Sequence, residues 1–159
     1  MPTPSEIRLG VAESAVDLGH VRDLFLEYGA SLDFDLCFQG FDEELAALPG
    51  AYGPPGGRLF LVSADGKLAG GVGLRPLQAD ISEMKRLYVR AEFQGLGLGR
   101  RLAEATIEAA REIGYRCMRL DTIANMTAAN ALYRSLGFME IPPYYDNPLR
   151  GVVYFELRL

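Results

Sequence analysis

The sequence predicts a mixed α/β fold in three layers. Strand-like segments precede and follow single amphipathic helices along the chain, and a hairpin signature joins two of the early strand-like segments. Glycine or proline closes several of the predicted helices. The chain has 159 residues, of which 49% are hydrophobic, so we expect a single domain over residues 1–159 with a substantial core.

The first half of the chain is predicted to form three strands and two helices. Residues 6–12 alternate weakly in polarity, and apolar residues over 15–32 keep helical spacing. The dipeptide Asp65-Gly66 is typical of a two-residue hairpin turn. Strands are expected at 6–12, 58–64 and 67–77, helices at 15–32 and 41–50, and a turn-rich connection at 51–57.

The second half is predicted to continue the sheet and to add two helices. An apolar stripe along residues 98–113 ends at Gly114, and a second helical segment ends at Gly137. Strands are expected at 81–89, 115–122, 138–141 and 152–159, and helices at 98–113 and 126–136.

Charge is distributed unevenly along this acidic chain of net charge −5. Residues 23–57 carry seven acids and no Lys or Arg, whereas residues 85–101 carry five bases and one acid. An acidic protein with a short basic strip does not fit general nucleic-acid binding, but it fits one pocket for a small polyanion.

Composition also limits location and metal content. Cys37 and Cys117 form no CxxC pair and suggest reduced thiols, and no stretch has the length needed to cross a bilayer. The N-terminal residues lack the apolar run of a signal peptide. We therefore expect a cytoplasmic protein that binds no membrane. A single histidine, His20, cannot supply a multi-histidine metal site, and no metal is expected.

The stretch 94–99, "QGLGLG", lies between a predicted strand and a predicted helix. Small residues at a helix start let backbone N–H groups approach an anion, and the helix dipole favours negative charge there. No P-loop string GxxxxGK[ST] is present. A dinucleotide-binding fingerprint GxGxxG that begins at Gly97 would have Leu102 at the position of its third glycine. The one feature that favours this fingerprint is Asp121, an acid about 20 residues further on.

The same stretch matches the [RQ]-x-x-G-x-[GA] loop of the GCN5-related N-acetyltransferases, and "NALYRSLGF" (130–138) resembles the second signature of that family. Both motifs occur in order within residues 81–138, about a third of the chain. The resemblance implies a mostly antiparallel sheet flanked by helices, the acyl-CoA N-acyltransferase fold. It also implies acetyl-coenzyme A (acetyl-CoA) as the anionic co-substrate.

The resemblance assigns cofactor-binding residues. In that family the pyrophosphate rests on the loop amides, which correspond here to Gln94, Gly95, Gly97, Gly99 and Arg100. The pantetheine arm pairs with the backbone at the end of the fourth strand, here Leu87 and Val89. Asn130 is a further candidate for cofactor contact or local capping; the family asparagine usually lies nearer to position 126, which is Met126 here, with Asn125 beside it.

Two residues are candidates for proton transfer. An alkyl amine has a reference pKa near 10.4, so its neutral form costs about 4–5 kcal/mol at pH 7 unless a base accepts the proton. Glu83 lies where related enzymes often carry that base; the alternative is a surface glutamate paired with Lys85 or Arg86. Tyr133 matches the family's general acid; the alternative is a core tyrosine.

Strict alternation along 81–89 would place Glu83, Lys85, Leu87 and Val89 on one face of the strand and Met84, Arg86 and Tyr88 on the other. A bulge within the strand would change this assignment.

The acceptor side is less defined. In the family the acceptor enters opposite the cofactor, here between the acidic segment and "PPYYDNPLRG". Acids such as Asp33 and Asp35, together with tyrosines, would suit a cationic primary amine, either a small molecule or a peptide; the acids could equally serve solubility. The function predicted is acetyl transfer, with an acyl-CoA sensor or a nicotinamide-dependent reductase as alternatives. A homodimer is compatible with the sequence.

Overall fold

The computed structural model describes residues 3–32, 35–36 and 39–159. Asp33 and Cys37, both considered above, lie outside the described residues. The strands are β1 (Ile7–Val11), β2 (Arg58–Ala64), β3 (Lys67–Gln78), β4 (Ile81–Val89), β5 (Cys117–Ile123), β6 (Met139–Ile141) and β7 (Val152–Arg158). The helices are α1 (Ala15–Ala30), α2 (Phe41–Ala46), α3 (Leu98–Ile113) and α4 (Thr127–Ser135).

The strands form a seven-stranded sheet in the order β1-β2-β3-β4-β5-β7-β6. All neighbours are antiparallel except β4 and β5. The predicted hairpin between β2 and β3 is confirmed, with Asp65 and Gly66 both at positive φ. Because β4 is antiparallel to β3 and only its pairing with β5 is parallel, the described sheet is not the doubly wound parallel sheet that a dinucleotide fingerprint requires.

Helices cover both faces of the sheet, which confirms the three-layer prediction. The apolar stripe of α3 is buried against one face, together with Tyr133 and Phe138 from the α4 region. The other face is covered by α1 and α2, whose Phe25 and Phe41 pack with Tyr52 and Leu59. Within the described ranges, no helix combines the length and apolar character that a bilayer crossing requires.

The only parallel pair among the described strands separates soon after it forms. β4 and β5 are paired from Ile81 to Glu83, and no pairing with β5 continues along the rest of β4. The backbone of β4 from Lys85 to Val89 therefore has a free edge facing a wedge-shaped opening. A free edge needs hydrogen-bond partners from elsewhere, such as a ligand amide.

A β-bulge interrupts β4 inside this opening. Gly71 lies opposite Tyr88 and Gly73 lies opposite Lys85, so one residue of β3 faces two residues of β4, Arg86 and Leu87. Arg86 adopts a left-handed conformation with φ 61°.

The bulge makes strict alternation wrong beyond Lys85. Met84, Leu87 and Val89 pack toward the α3 face. Lys85 and Arg86 both point to the α1–α2 face, because both donate to the same side-chain oxygen of Gln39. Tyr88 shares that face and stacks edge-on with Tyr28 of α1.

Candidate active site

The glycine loop, residues 94–99, leads directly into α3. Gly95 and Gly97 have positive φ values of 85° and 76°, a conformation that favours glycine. Gly97 is the N-cap of α3 and no side chain caps the first amides of the helix. A Cβ at either glycine would meet nothing within 4 Å. Apart from the N–H of Gln94, which donates to the Ala91 carbonyl, the loop thus presents backbone N–H groups that no side chain caps, beside open space at the positive end of a 16-residue helix.

A groove of about 590 Å3 runs along this loop. We call it the coenzyme-side groove; it is bounded by the end of β4, the glycine loop, the start of α3 and the first turn of α4. Seven of the eight predicted cofactor residues line it: Leu87, Val89, Gln94, Gly95, Gly97, Gly99 and Arg100. They come from two adjacent segments of the chain, so sequence proximity brings them together.

Three of the predicted cofactor residues also make their own contacts. The side-chain amide of Gln94 donates to the Val89 carbonyl at 3.0 Å, and the Arg100 guanidinium donates to the Ser135 hydroxyl at 2.6 Å. Asn130 is not among the residues lining the groove. It is buried, and its amide donates to the carbonyls of Ile123 and Ala124, which holds the connection between β5 and α4.

A second, smaller cavity of about 50 Å3 lies where β4 and β5 separate. We call it the inner cavity; its walls come from α1, β4, β5, α4 and the segment 147–152. Leu87, Met126 and Ala129 line both the inner cavity and the coenzyme-side groove. On the other side, Ile123, Met126 and Leu149 are shared with a more open pocket of about 340 Å3 near Arg150, the entrance pocket. The inner cavity therefore adjoins both openings, and we call this arrangement the junction.

Tyr133 of α4 is part of this junction. Its side chain is largely buried, packs against the rings of Phe138 and Phe155, and lines the inner cavity. Burial is the main cause that raises the pKa of Tyr133 above its ordinary value, and the electrostatic influence of Tyr28 and Asp121 raises it further. The phenol is thus held in its protonated form and can donate a proton but not readily accept one.

Glu83 lies deeper than the inner cavity and is not among its lining residues. Only 2% of its surface is exposed, and its partners differ from those expected of a surface residue. Arg75 donates to Oε1 from Nε and from NH2, at 3.0 and 2.9 Å, and the Tyr144 hydroxyl donates to Oε2 at 2.5 Å. Both carboxylate oxygens of Glu83 therefore accept hydrogen bonds from neighbouring side chains. The alternative of a surface pair with Lys85 or Arg86 is wrong.

Lys85 and Asp121 form an ion pair across the opening between β4 and β5, at 3.2 Å. Burial raises the pKa of Asp121, but Lys85 and the Tyr145 hydroxyl lower it more, so its pKa lies below the ordinary value. Arg86, beside them, pairs with Glu44 of α2 and lies over the Phe41 ring. Sequence reasoning missed this cluster as a unit, because its members are brought together by the bulge and by contacts between distant segments.

The segment 142–151 also reaches this region, as the resemblance implied for an acceptor loop. Asn147 and Leu149 line the inner cavity, and the Tyr145 hydroxyl donates to Asp121 at 2.6 Å. The acids of residues 23–57 behave differently: Glu27 pairs with Arg90 and Glu44 with Arg86, and neither lines the inner cavity.

Known proteins resemble this chain in sequence and in structure. The model of the acetyltransferase (GNAT) family matches residues 21–138, which is more than half of the chain. The chain belongs to the acetyltransferase (GNAT) family.

Two relatives and one solved structure illustrate the likeness. An uncharacterized N-acetyltransferase of Schizosaccharomyces pombe is 40% identical, over 100% of this chain and 99% of that protein. The N-acetylaspartate synthetase of Homo sapiens is 35% identical, over 54% of this chain and 29% of that protein. A GNAT family acetyltransferase of Elizabethkingia anophelis, solved with acetyl-CoA bound, is 20% identical with a TM-score of 0.71, over 98% of this chain and 99% of that one.

Members of the GNAT family use acetyl-CoA, so the residues along the two openings must fit that molecule. Two features of the coenzyme-side groove fit it. The glycine loop offers uncapped amides suited to a pyrophosphate, and the free edge of β4 offers backbone groups suited to the amides of a pantetheine arm. Both features lie along the coenzyme-side groove, which ends at the inner cavity.

Proposed function

We propose that this chain, an acetyl-CoA-dependent N-acetyltransferase by family, transfers the acetyl group directly to a primary amine within the inner cavity. The observation that carries the proposal is the junction. The coenzyme-side groove and the entrance pocket both share residues with the inner cavity, so a thioester from one side and an amine from the other can meet there. Bringing both reactants together supplies a large part of the rate by proximity.

Acetyl-CoA is bound in the proposal through backbone groups. The amides of Gln94, Gly95, Gly97 and Gly99 hold the pyrophosphate, and Arg100 adds positive charge beside it. The backbone of Leu87 and Val89 pairs with the pantetheine arm. The side-chain amide of Gln94, which now donates to the Val89 carbonyl, gives up that bond to the ligand. Asn130 contributes by holding the β5–α4 connection, and with it the first turn of α4.

The chemical step forms a bond between the amine nitrogen and the acetyl carbon and breaks the bond between that carbon and sulfur. The nitrogen loses a proton, for which Glu83 is the proposed base. Glu83 lies behind the inner cavity, so the proton reaches it through an intermediary, either water or the Tyr144 hydroxyl that already donates to Oε2.

The departing thiolate takes a proton from Tyr133, the proposed general acid. Two properties support this role: Tyr133 lines the cavity at which the groove ends, and its raised pKa keeps it protonated when the amine is neutral. The phenolate regains its proton from solvent after the coenzyme leaves.

The acceptor is a primary amine, as a small molecule or at the end of a peptide. One relative is named N-acetylaspartate synthetase, a name that gives that protein an amino acid as its acceptor. Together with the small volume of the inner cavity, this favours a small amine here.

Release of coenzyme A thiol in the presence of a panel of amines tests the proposal. We expect turnover with at least one amine and initial-rate lines that intersect, as direct transfer in a ternary complex requires. Parallel lines would instead indicate a covalent acetyl-enzyme. Calorimetric binding of acetyl-CoA without turnover of any amine would favour the alternative of an acyl-CoA sensor.

A further inference from the structure

We propose that the acceptor amine also carries a carboxylate, as an amino acid does, and that Lys85 and Arg86 bind this carboxylate in the inner cavity. The inference rests on the proposed function, since it assigns a substrate class to the same site. It gives the two cations the role of determining specificity.

Lys85 and Arg86 are an unusual pair because they are adjacent in a strand yet share one face. Their side chains are 5% and 2% exposed, and both line the inner cavity. Lys85 Nζ and Arg86 NH1 donate to the same oxygen, Gln39 Oε1, at 3.2 and 2.8 Å. A neutral amide oxygen is a weaker partner for two cations than an anionic oxygen would be. A substrate carboxylate is the group that would improve on it.

The charges that compensate the two cations are placed unequally. Asp121 pairs with Lys85 and also lines the inner cavity. Glu44 pairs with Arg86 from α2 and does not line it. The described wall of the inner cavity thus presents two cations and one carboxylate, while Glu44 balances Arg86 from behind the wall. An amino acid whose amine has been deprotonated for attack carries one net negative charge on its carboxylate, which complements the two cations that the wall presents.

The same charges disfavour a polyamine. A chain with two or more ammonium groups would place a cation near Lys85 and Arg86, which are too deeply buried for solvent to screen the repulsion. The small inner cavity suits the head of a small acceptor, and the entrance pocket leaves room for the rest of it. Tyr28, Asp121 and Tyr133 are the other titratable groups of the described cavity wall.

Matched amines test the carboxylate requirement. Coenzyme A release would be measured with L-alanine against L-alaninamide, L-aspartate against its diamide, and L-lysine against cadaverine. We expect kcat/KM to be about tenfold or more higher for the carboxylated member of at least one pair. The amine of alaninamide is less basic than that of alanine, so a larger fraction of it is neutral and able to attack at a given pH. This difference favours the amide, against the expected result.

A double variant tests the role of the cations. Arg86→Gln combined with Glu44→Gln removes a buried pair without leaving an unpaired charge, and thermal unfolding with acetyl-CoA binding would verify the fold. We expect KM for the preferred amino acid to rise about tenfold while KM for its amide stays constant. Lys85→Gln should act in the same direction. Arg116→Gln with Asp80→Asn removes an exposed pair and should change neither value.

The outcomes separate the two proposals. Preference for amides or cadaverine overturns the carboxylate inference and leaves acetyl transfer intact. Carboxylate preference that persists in the double variant and in Lys85→Gln overturns the assignment to these residues. If no amine turns over, binding of L-alanine and L-aspartate to the coenzyme A complex would be measured by calorimetry, and absence of binding overturns the inference. A protein that neither binds acetyl-CoA nor releases thiol contradicts the proposed function itself.

Discussion

The coenzyme-side groove and the inner cavity adjoin but are built in different ways. The groove is formed largely by residues 87–100, and its proposed binding groups are backbone amides and carbonyls. The inner cavity takes side chains from α1, β4, β5, α4 and the segment 147–152, and several of them are charged and buried. A site made of backbone depends on conformation, whereas a site made of buried side chains depends on each chemical group. Variants in the two regions should therefore differ in kind: groove variants change affinity for acetyl-CoA, and cavity variants change turnover.

The largest expected effect is that of Tyr133→Phe on turnover. The substitution keeps the ring that packs on Phe138 and Phe155 but removes the proton donor. We expect kcat to fall about 100-fold or more, as is typical for loss of a general acid, with little change in acetyl-CoA affinity by calorimetry. Tyr115→Phe, which removes a hydroxyl bonded to the Gly56 carbonyl, is the matched control.

The raised pKa of Tyr133 adds a pH test with a definite sign. The acid form persists above the ordinary tyrosine value near 10, so kcat should not decline on the alkaline side until beyond about pH 10. An unchanged kcat in Tyr133→Phe, or an alkaline decline centred near neutrality in the native protein, would contradict the role.

Glu83→Gln tests whether the buried carboxylate takes part in catalysis. We expect kcat to fall about 100-fold if it is the base. Tyr144→Phe should lower kcat by a smaller factor if its hydroxyl passes the proton, and the double variant should be no slower than Glu83→Gln alone. Additive losses would show that the two residues act independently. Thermal unfolding of each variant separates catalysis from support of the fold.

Gly97→Leu is the corresponding test for the groove. Its positive φ disfavours a side chain, and the new side chain would project beside the uncapped amides of α3. We expect the Kd for acetyl-CoA to rise about tenfold or more, with a strain cost of about 1–2 kcal/mol in stability. Gly66→Leu carries the same type of strain in the β2–β3 turn and should leave Kd unchanged. Equal Kd values in both variants would remove the backbone-binding hypothesis.

The smallest effect is expected for Arg100→Gln. Arg100 lines the groove but is exposed, so its charge contributes less than about 1 kcal/mol to binding. We expect Kd for acetyl-CoA to rise less than about fivefold, and the difference from the native protein to shrink as salt is added. Arg101→Gln, an exposed neighbour that does not line the groove, is the control. If Arg100→Gln raised the Kd for acetyl-CoA as much as Gly97→Leu does, the affinity of the groove for acetyl-CoA would depend on the Arg100 side chain rather than on the backbone.

The contrast between the regions also explains what the sequence could predict. Loop residues 94–99 and α3 are contiguous, and their glycines follow a recognisable spacing, so the loop, its helix and the edge of β4 were found. The bounds of α3 were predicted to the residue because its apolar stripe is regular and Gly114 ends it. Helix α1 is shorter than the 15–32 predicted and ends at Ala30.

The inner cavity was harder to predict because contacts between distant segments create it. The pair of Lys85 with Asp121 joins two strands whose pairing ends just before that point. The partner of Glu83 is Arg75, on a strand whose register against β4 cannot be read from either segment alone. The bulge at Arg86 depends on a left-handed arginine, which local sequence does not favour. Glu83 and Tyr133 were proposed from the family resemblance, and their roles stay predictions.

The bulge in β4 links recognition of the two substrates. Side chains alternate along a strand, so one extra residue exchanges the faces of everything that follows it. Without the bulge, strict alternation from Lys85 onward would turn Val89 away from the groove and Tyr88 away from α1, and it would put Lys85 and Arg86 on opposite faces of the strand. Substitutions in β4 that change the acceptor site must therefore keep the bulge. If the bulge is lost, the residues of β4 that line the coenzyme-side groove must change as well.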